Sequence, residues 1–432
     1  MRLSRRVSRL VRKLRGVPRR LSVAALRNPL TRSAARRILN PRFDPFDPDF
    51  LADPYPVYRR LRESAPVHWS HFGAWLVTRY ADAASVLRDA RFGHPDHKAI
   101  AFASGDSSVS ALLRANMLMF KNPPAHTRLR RLVDQVFTPR LVAGLRPFVQ
   151  RLADQLLDGV EDARQMDIVR GFAVPLPVGV IAEVFGLPAA DAQACHEWTR
   201  HMIGPLALGG TQEAGALRTM AGERMAAYFR GILEQRRRAP GRDLIRSLIQ
   251  LQAAGAEVED DELLATCVLL FGAGHETTVR LIGNGILTLL RHPDELRRLQ
   301  ERPSLLTQAV DELLRYESPV QMVGRTAQED VTLSGRCIRS GQAVYAVVGA
   351  ANRDPAQFAD PDRLDLERVN NRHLSFGSGI HACLGRGLAR LEAEVAIEAL
   401  IRRMPGLELA TDQPEWRREP GIRALTSLPV TW

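Results

Sequence analysis

The chain of 432 residues is 45% hydrophobic, contains four cysteines and carries a net charge of +12 at pH 7. The cysteines are scattered without paired spacing, which excludes a disulfide framework and favours a reducing compartment, so we expect a cytoplasmic protein. No uninterrupted apolar run reaches the roughly 18 residues of a membrane-spanning helix.

The first 42 residues differ from the rest of the chain. They hold fourteen Lys or Arg and no acid, so the total of +12 leaves −2 on residues 43–432. Because the basic excess belongs to this extension, we expect no nucleic-acid partner. Apolar residues recur in it at helical spacing between arginines, which is typical of an amphipathic arm that contacts a membrane surface or a partner. A transit peptide and a disordered extension remain open as alternatives.

Residues 43–432 have ordinary globular composition and no linker-like break, which predicts a single domain. Their first part predicts a helix, two short strands around a turn at Gly73, and a second helix, over Val57–Glu63, Val67–Trp69, Ala74–Thr78 and Tyr80–Asp89. Residues 92–115 show no clear period and are predicted to form a loop. Long loops inside compact domains are often binding elements.

The next helix is predicted over Pro124–Phe137, in a segment that reads NPPAHTRLR from Asn122. It carries His126 and Arg130 at positions i and i+4, on one face. A solvated basic face is the alternative, since further arginines stand beside them. Several amphipathic helices follow over residues 141–240, with a glycine-rich break, GPLALGG, at 204–210.

The longest predicted helix runs from Glu259 to Arg291, and its centre reads AGHETT from Ala273. The small Ala273 and Gly274 leave room beside the helix. The carboxylate of Glu276, next to the hydroxyl of Thr277, is costly to bury without a partner. The alternative is a glycine-weakened core helix with a paired glutamate. His275 is predicted to be a packed side chain and not a metal ligand.

A further helical segment places Glu312 and Arg315 at i and i+3, a spacing that by itself indicates only a surface ion pair. Strand-like residues follow and include Arg325. The segment ADPDRLDLER, which ends at Arg368, then leads towards the last motif.

That motif reads FGSGIHACLG from Phe376 to Gly385 and is followed at once by a predicted helix over Arg386–Met404. Cys383 therefore lies at a helix N-terminus, where the helix dipole and free backbone N–H groups favour a thiolate. Gly377 lets the backbone press against a flat partner. The absence of a second cysteine or histidine at zinc spacing argues against a zinc site, whereas a lone thiolate suits haem iron.

Four separated segments of the chain resemble the cytochrome P-450 monooxygenases in their order and spacing. They are NPPAHTRLR, AGHETT, the 312–368 elements and the cysteine loop. The resemblance covers about residues 43–432. It implies a mainly α fold with small β-sheets (α+β), in one domain. It also implies haem b, bound between the long central helix and the cysteine loop with its following helix.

The resemblance assigns roles to individual residues. Glu276 and Thr277 match the family's acid–alcohol pair, which manages protons at dioxygen. Glu312, Arg315 and Arg368 match a buried structural cluster. Cys383 matches the iron ligand. The residues that would bind the cofactor are His126, Arg130, Ala273, Gly274, Arg325, Phe376, Gly377, His381, Cys383 and Gly385.

The implied activity is insertion of one oxygen atom from O2 into an apolar small molecule, by hydroxylation or epoxidation. Because the sequence has no flavin, nicotinamide or iron–sulfur motif, the electrons must come from outside, in this family usually from a ferredoxin and its reductase. Two alternatives stay open: a peroxide-driven peroxygenase, which typically lacks the acid–alcohol pair, and a non-catalytic haem-thiolate binder or sensor, which can lose it. We expect the substrate near residues 92–119 and 200–212 and beside Leu270, Val320 and Val323.

Overall fold

Local side-chain chemistry sets several helix boundaries. The Thr138 hydroxyl accepts the N–H of Leu141 and caps one helix start. Glu259 and Glu262 form a reciprocal capping box at the start of the longest helix. Gly186, with φ of 61°, ends another helix in the left-handed conformation. These caps satisfy backbone groups that a helix terminus leaves without partners.

The structure is a computed structural model and describes residues 42–104, 108–203, 212–239, 241, 243–419 and 421–432. The basic arm up to residue 41 and the predicted break at 204–210 lie outside the described residues. The α-helices in the described part of the chain are α1 (Pro48–Ala52), α2 (Tyr55–Ser64), α3 (Tyr80–Arg88), α4 (His97–Ser104), α5 (Val109–Asn116), α6 (Ala125–Val136), α7 (Pro139–Asp158), α8 (Pro175–Phe185), α9 (Ala189–Ile203), α10 (Gln212–Arg238), α11 (Leu244–Ala253), α12 (Asp260–Leu290), α13 (Pro293–Glu301), α14 (Leu306–Tyr316), α15 (Val348–Ala351) and α16 (Arg386–Arg403).

Shorter elements join these helices. The 3₁₀ turns are Leu118–Phe120, Glu161–Ala163, Pro303–Leu305 and Gly379–His381, and Val169–Ala173 is a π-helical turn. The strands are β1 (Val67–Trp69), β2 (Ala74–Val77), β3 (Phe92–Gly93), β4 (Gln165–Asp167), β5 (Val323–Ala327), β6 (Val331–Leu333), β7 (Arg336–Ile338), β8 (Ala343–Ala346), β9 (Glu408–Leu409) and β10 (Pro429–Thr431).

The chain forms two compact units, the first made of residues up to Gly93 together with Gln321–Ala359. Its main sheet has the strand order β1-β2-β8-β5-β3, in which β2 and β8 are parallel and the other neighbours antiparallel. Strands β6 and β7 form a separate hairpin. Edge-to-face contacts between the rings of Phe43, Phe50 and Tyr58 build part of its core.

The second unit consists of His94–Val320 and Asp360–Trp432 and holds the long helices. The rings of Phe185, Phe229 and Phe271 lie pairwise 5.9 Å apart and tie α8, α10 and α12 together. Helix α16 packs along α7 and also contacts α12 and α14. Strands β4, β10 and β9 form a small antiparallel sheet. The result is a helical bundle that brings α12 and the cysteine loop into one unit.

The predicted fold class, mainly helical with small sheets, is confirmed. The paired strands around Gly73 and the helices at 125–136, 260–290 and 386–403 are also present, within a few residues of the predicted bounds. The prediction of a loop over residues 92–115 is wrong. That stretch contains β3, α4 and α5, and the start of α5 is capped by the Ser108 hydroxyl.

Among the described helices, no single one is both long and apolar enough to cross a membrane. One pair, Val169–Phe185 with Ala189–Met202, meets that requirement only when both parts are taken together across a bend of 114°.

Candidate active site

The cysteine loop turns on two glycines. Gly377 and Gly379 have φ of 68° and 74°, in the left-handed region that favours glycine. The Cys383 N–H then donates to the Phe376 carbonyl at 2.8 Å, which closes the loop. Because α16 begins at Arg386, the thiol lies at a helix N-terminus, where the sequence analysis placed it.

Opposing effects act on the Cys383 thiol. Burial raises its pKa, while the backbone N–H of Gly385 and the charges of Arg130 and Arg386 lower it. The net pKa is raised, so the helix terminus is not enough to make the thiolate the favoured form. The predicted influence of the backbone amides is present, but desolvation outweighs it. A bound cation at the sulfur would reverse this balance, since a coordinating thiol is deprotonated outright.

A histidine and an arginine from α6 border the cysteine loop. His126 is buried, and its ring centroid lies 4.2 Å from that of His381. The Arg130 Nη1 group donates to the Ala382 carbonyl at 2.8 Å, and its Nε group lies 3.0 Å from an Asp134 oxygen. The structure therefore brings His126, Arg130 and His381 together on one side of the loop.

A third histidine in this cluster was missed by the sequence analysis. The His94 ring centroid lies 4.8 Å from that of His381. The Asn122 side chain forms two hydrogen bonds with the His94 backbone. The His94 N–H donates to Asn122 Oδ1 at 2.9 Å, and Asn122 Nδ2 donates to the His94 carbonyl at 2.8 Å. The sequence offered one indication of this role for His94, which is its position in the long segment that was expected to contain binding residues.

Arg325, which was also predicted to bind the cofactor, belongs to the first unit. It lies on β5 opposite Val344, and its Nη1 group donates to the Gly324 carbonyl at 2.8 Å. Burial lowers the pKa of the Arg325 guanidinium to about 10. This side chain is thus a poorly solvated cation for which an anionic partner would be favourable.

Helix α12 is almost entirely buried along its middle turns except for one stripe. Leu269, Leu270, Ala273, Gly274 and Thr277 are partly or fully exposed, at spacings of three, four and seven residues that share one helix face. A Cβ atom on Gly274 would lie 2.6 Å from the Ile181 side chain, so α8 occupies the space on that side. The accessible stripe is therefore apolar until it reaches the Thr277 hydroxyl.

Glu276 lies beside this stripe but points into the protein. One of its oxygens, Oε2, accepts a hydrogen bond from Arg280 Nη2 at 2.8 Å, and Glu419 lies 3.6 Å from the same group. Burial raises the pKa of Glu276, but the charge of Arg280 opposes it, and the net pKa lies below its ordinary value. The Thr277 hydroxyl donates to the Ala273 carbonyl at 3.4 Å. Glu276 is therefore an ionised acid that directly precedes the accessible Thr277 in the chain.

His275 is fully buried, as a packed side chain would be. Its Nδ1 atom lies 2.8 Å from the Phe271 carbonyl, and its Nε2 atom lies 3.0 Å from Nδ1 of His196 on α9. The sequence analysis did not single out His196, because the two histidines are 79 residues apart.

Glu312 is the centre of a buried charge cluster. It accepts two hydrogen bonds of 2.7 Å from Arg315, two of 3.1 Å from Arg368 Nε, one of 3.1 Å from Asn371, and one of 3.0 Å from the Asp365 N–H. The Arg315 side chain is 0% exposed and that of Glu312 is 1% exposed. The structure thus brings together the three charged residues expected from the sequence, in the interior and not at the surface.

Comparison with known proteins supplies the family. A sequence profile described as "Cytochrome P450" matches residues 213–419. The biotin biosynthesis cytochrome P450 of Bacillus subtilis (strain 168) is 41% identical over 389 residues, which are 89% of this chain and 97% of that protein. The 6-deoxyerythronolide B hydroxylase of Saccharopolyspora erythraea is 40% identical over 395 residues, 88% of this chain and 96% of the relative. The chain belongs to the cytochrome P450 family.

A solved structure agrees with this P450 assignment. The crystal structure of P450BioI in complex with hexadec-9Z-enoic acid ligated acyl carrier protein superimposes with a TM-score of 0.85 and 40% identity, covering 89% of this chain and 99% of that one. The resemblance stated from the sequence is therefore confirmed, and the protein is a P450 monooxygenase.

The cofactor of this P450 is haem, iron protoporphyrin IX. The donor set of the chain fits it. Among the described residues, the cluster of side chains close enough to share a metal ion is His196, His275 and Glu276, and Cys383 is not part of it. A lone thiol suits haem iron, whose porphyrin supplies the in-plane ligands.

Proposed function

We propose that this P450 inserts one oxygen atom from O2 into an apolar small molecule and reduces the other oxygen atom to water. In this reaction two electrons come from a ferredoxin and its reductase, and two protons come from solvent through the protein. Cys383 is the residue that would hold the iron. When bound, the haem supplies the activation of oxygen and the oxidising power.

The observation that carries this proposal is the exposed stripe of α12. An apolar helix face leads to a single accessible hydroxyl, that of Thr277, and the residue directly before it in the chain is the buried, ionised Glu276. Leu270 on the stripe suits an apolar substrate, and the adjacent acid and alcohol suit proton transfer. A peroxygenase or a haem sensor would need no such pair, so the pair favours use of O2.

The propionates of the cofactor would be bound by the cationic and histidine side chains around the loop. His126, His381 and Arg130 lie together beside Cys383. Arg325, which belongs to the first unit, stays a prediction for this role. We add His94 to this set because its ring stacks edge-on against His381.

The substrate class follows from the relatives only in outline. One relative is named for biotin biosynthesis, and another is named 6-deoxyerythronolide B hydroxylase. A similar solved structure is P450BioI in complex with an acyl carrier protein ligated to hexadec-9Z-enoic acid. We therefore place the substrate of this enzyme among apolar, largely aliphatic biosynthetic intermediates. Because the accessible part of α12 is apolar, an aliphatic chain would suit this face.

The proposed function is tested with Thr277→Ala, using Thr278→Ala as the matched control. Thr278 is the same residue type one position later, but it is buried and lies off the stripe. A substrate is first found by screening for compounds that change the haem spin state. Product formed per reduced nicotinamide consumed is then measured with a ferredoxin system.

We expect Thr277→Ala to retain haem, substrate binding and electron consumption, but to release oxygen as peroxide or water. General acid catalysis is typically worth about 10²–10⁴-fold, so the loss of product should be large. Thr278→Ala should keep the wild-type ratio. An unchanged ratio in Thr277→Ala would remove the hydroxyl from the proton path and leave Thr277 as a core residue.

A further inference from the structure

The strongest unexplained feature is a histidine pair that joins two helices beside the proposed acid. His196 on α9 and His275 on α12 are 3% and 0% exposed, and their nearest ring nitrogens are 3.0 Å apart. The His196 Nδ1 atom also lies 3.8 Å from Glu276 Oε1. Neither histidine has a role in the proposed function, so their placement needs an account.

The hydrogen-bond partners decide which nitrogen carries the proton. The Phe271 carbonyl can only accept, so His275 Nδ1 must donate to it. Neutral His275 then has a bare Nε2 atom that can only accept, and His196 Nδ1 must donate to it. Burial lowers the pKa of both imidazoles, that of His196 to about 4, so both are neutral near pH 7.

Glu276 lies next to this histidine pair, and the two oxygens of its carboxylate have different surroundings. Its Oε2 atom is held by Arg280, whereas its buried Oε1 atom has no hydrogen-bond partner in the described part of the chain. A ring nitrogen of His275 lies within 4.8 Å of a Glu276 carboxylate oxygen. Without the donor from His196, the buried His275 nitrogen would be left unsatisfied, and taking a proton and pairing with Glu276 would satisfy it.

We propose that His196 is a positioning residue for Glu276: by donating to His275, it keeps His275 neutral and leaves the Glu276 carboxylate available to exchange protons at Thr277. The inference rests on the proposed function and extends it to a residue on a different helix. It also makes proton delivery depend on the contact between α9 and α12.

The test first removes the N–H donor of His196 and then also removes the His275 imidazole that would pair with Glu276. His196→Leu fills similar volume but lacks the N–H, whereas His196→Asn keeps an N–H near the Nδ1 position. The double variant His196→Leu/His275→Leu removes the imidazole that would pair with Glu276. The control is His201→Ala, an exposed histidine on the same helix. Haem content, substrate-induced spin change and product per reduced nicotinamide are measured for each, with Thr277→Ala alongside.

We expect His196→Leu to bind haem and substrate normally and to lose about a hundredfold of its product yield, the lower end of the range for a general acid. His196→Asn and the double variant should recover most of that yield, and His201→Ala should behave as wild type. If the leucine variant does not take up haem, His196→Phe gives the same comparison with a ring of similar size.

Full product yield in His196→Leu, with Thr277→Ala uncoupled, would overturn this inference and leave the proposed function standing. The same conclusion follows if the double variant stays as uncoupled as His196→Leu. Full yield in both His196→Leu and Thr277→Ala would contradict the proposed function itself.

Discussion

Replacing Glu312 with alanine removes the acceptor of the buried charge cluster. Arg315, whose side chain is 0% exposed, would lose two hydrogen bonds of 2.7 Å, and Arg368 would lose its contacts of 3.1 Å. A buried cation left without its carboxylate costs about 3–5 kcal/mol. Since folded proteins are stable by only about 5–15 kcal/mol, the loss would be a large part of the total.

Glu367→Ala provides a matched control from the same segment. Glu367 pairs with Arg302 at 2.7 Å, but the two side chains are 40% and 53% exposed. Exposed ion pairs contribute about 0–1 kcal/mol, so this variant should unfold almost as the wild type does. Urea unfolding of the haem-loaded proteins, followed by circular dichroism, compares the free energies of unfolding. Haem content is measured in parallel.

We expect Glu312→Ala to unfold at much lower urea concentration, or to be recovered without haem, while Glu367→Ala keeps both properties. If Glu312→Ala retained haem and unfolded within about 1 kcal/mol of the wild type, the cluster would contribute no more than a surface pair.

Two further predictions concern a buried acid and the basic arm. Glu392 is fully buried, neither carboxyl oxygen has a partner among the described residues, and burial raises its pKa well above the usual value. The folded state therefore binds a proton that the unfolded state releases above its ordinary pKa, so stability falls by about 1.4 kcal/mol per pH unit from there up to the folded pKa. Glu392→Gln should lack this contribution in urea unfolding at two pH values near neutrality, and equal slopes for both proteins would refute it. A chain beginning at Asn40 keeps Phe43, which is 2% exposed, and should be soluble and bind haem; an insoluble or haem-free product would show that the arm is needed. If the arm binds anionic lipid, the full chain should sediment with acidic vesicles at low salt and be released at high salt.

The sequence was most informative where one residue type is required by geometry or chemistry. Cys383 lies at the start of α16, as the motif indicates. Gly377, which was predicted only to allow a close approach of the backbone, occupies a left-handed position. The long apolar period from 260 to 290 also predicts α12 within a residue or two. Such signals are local, so a single sequence is enough to find them.

The missed features depend on contacts between distant parts of the chain. Helices α4 and α5 have only eight residues each, too few for a clear apolar period, and α5 packs against α10 and α12. Arg128 is one of the arginines beside His126 and Arg130 that left a solvated basic face open as an alternative, yet it forms an ion pair with Glu262 at 2.7 Å, 134 residues away. His196 and His94 gain their meaning only from side chains that folding brings to them.

The raised pKa of the Cys383 thiol was also not predicted from the sequence. The position at a helix N-terminus indicates a stabilised thiolate, but desolvation depends on the packing of the whole loop and acts in the opposite direction. The thiolate is therefore expected when the iron is bound and not in its absence.

The central claim, that Cys383 ligates the haem of a P450 monooxygenase, is tested most directly by the absorption spectrum of the reduced, CO-bound protein. The wild type should show the red-shifted Soret band of a thiolate ligand, and Cys383→Ala should lose it. Cys195→Ser, Cys267→Ser and Cys337→Ser should each keep that band. A thiolate-type band that persists in Cys383→Ala, or its absence from the wild type, would contradict the account.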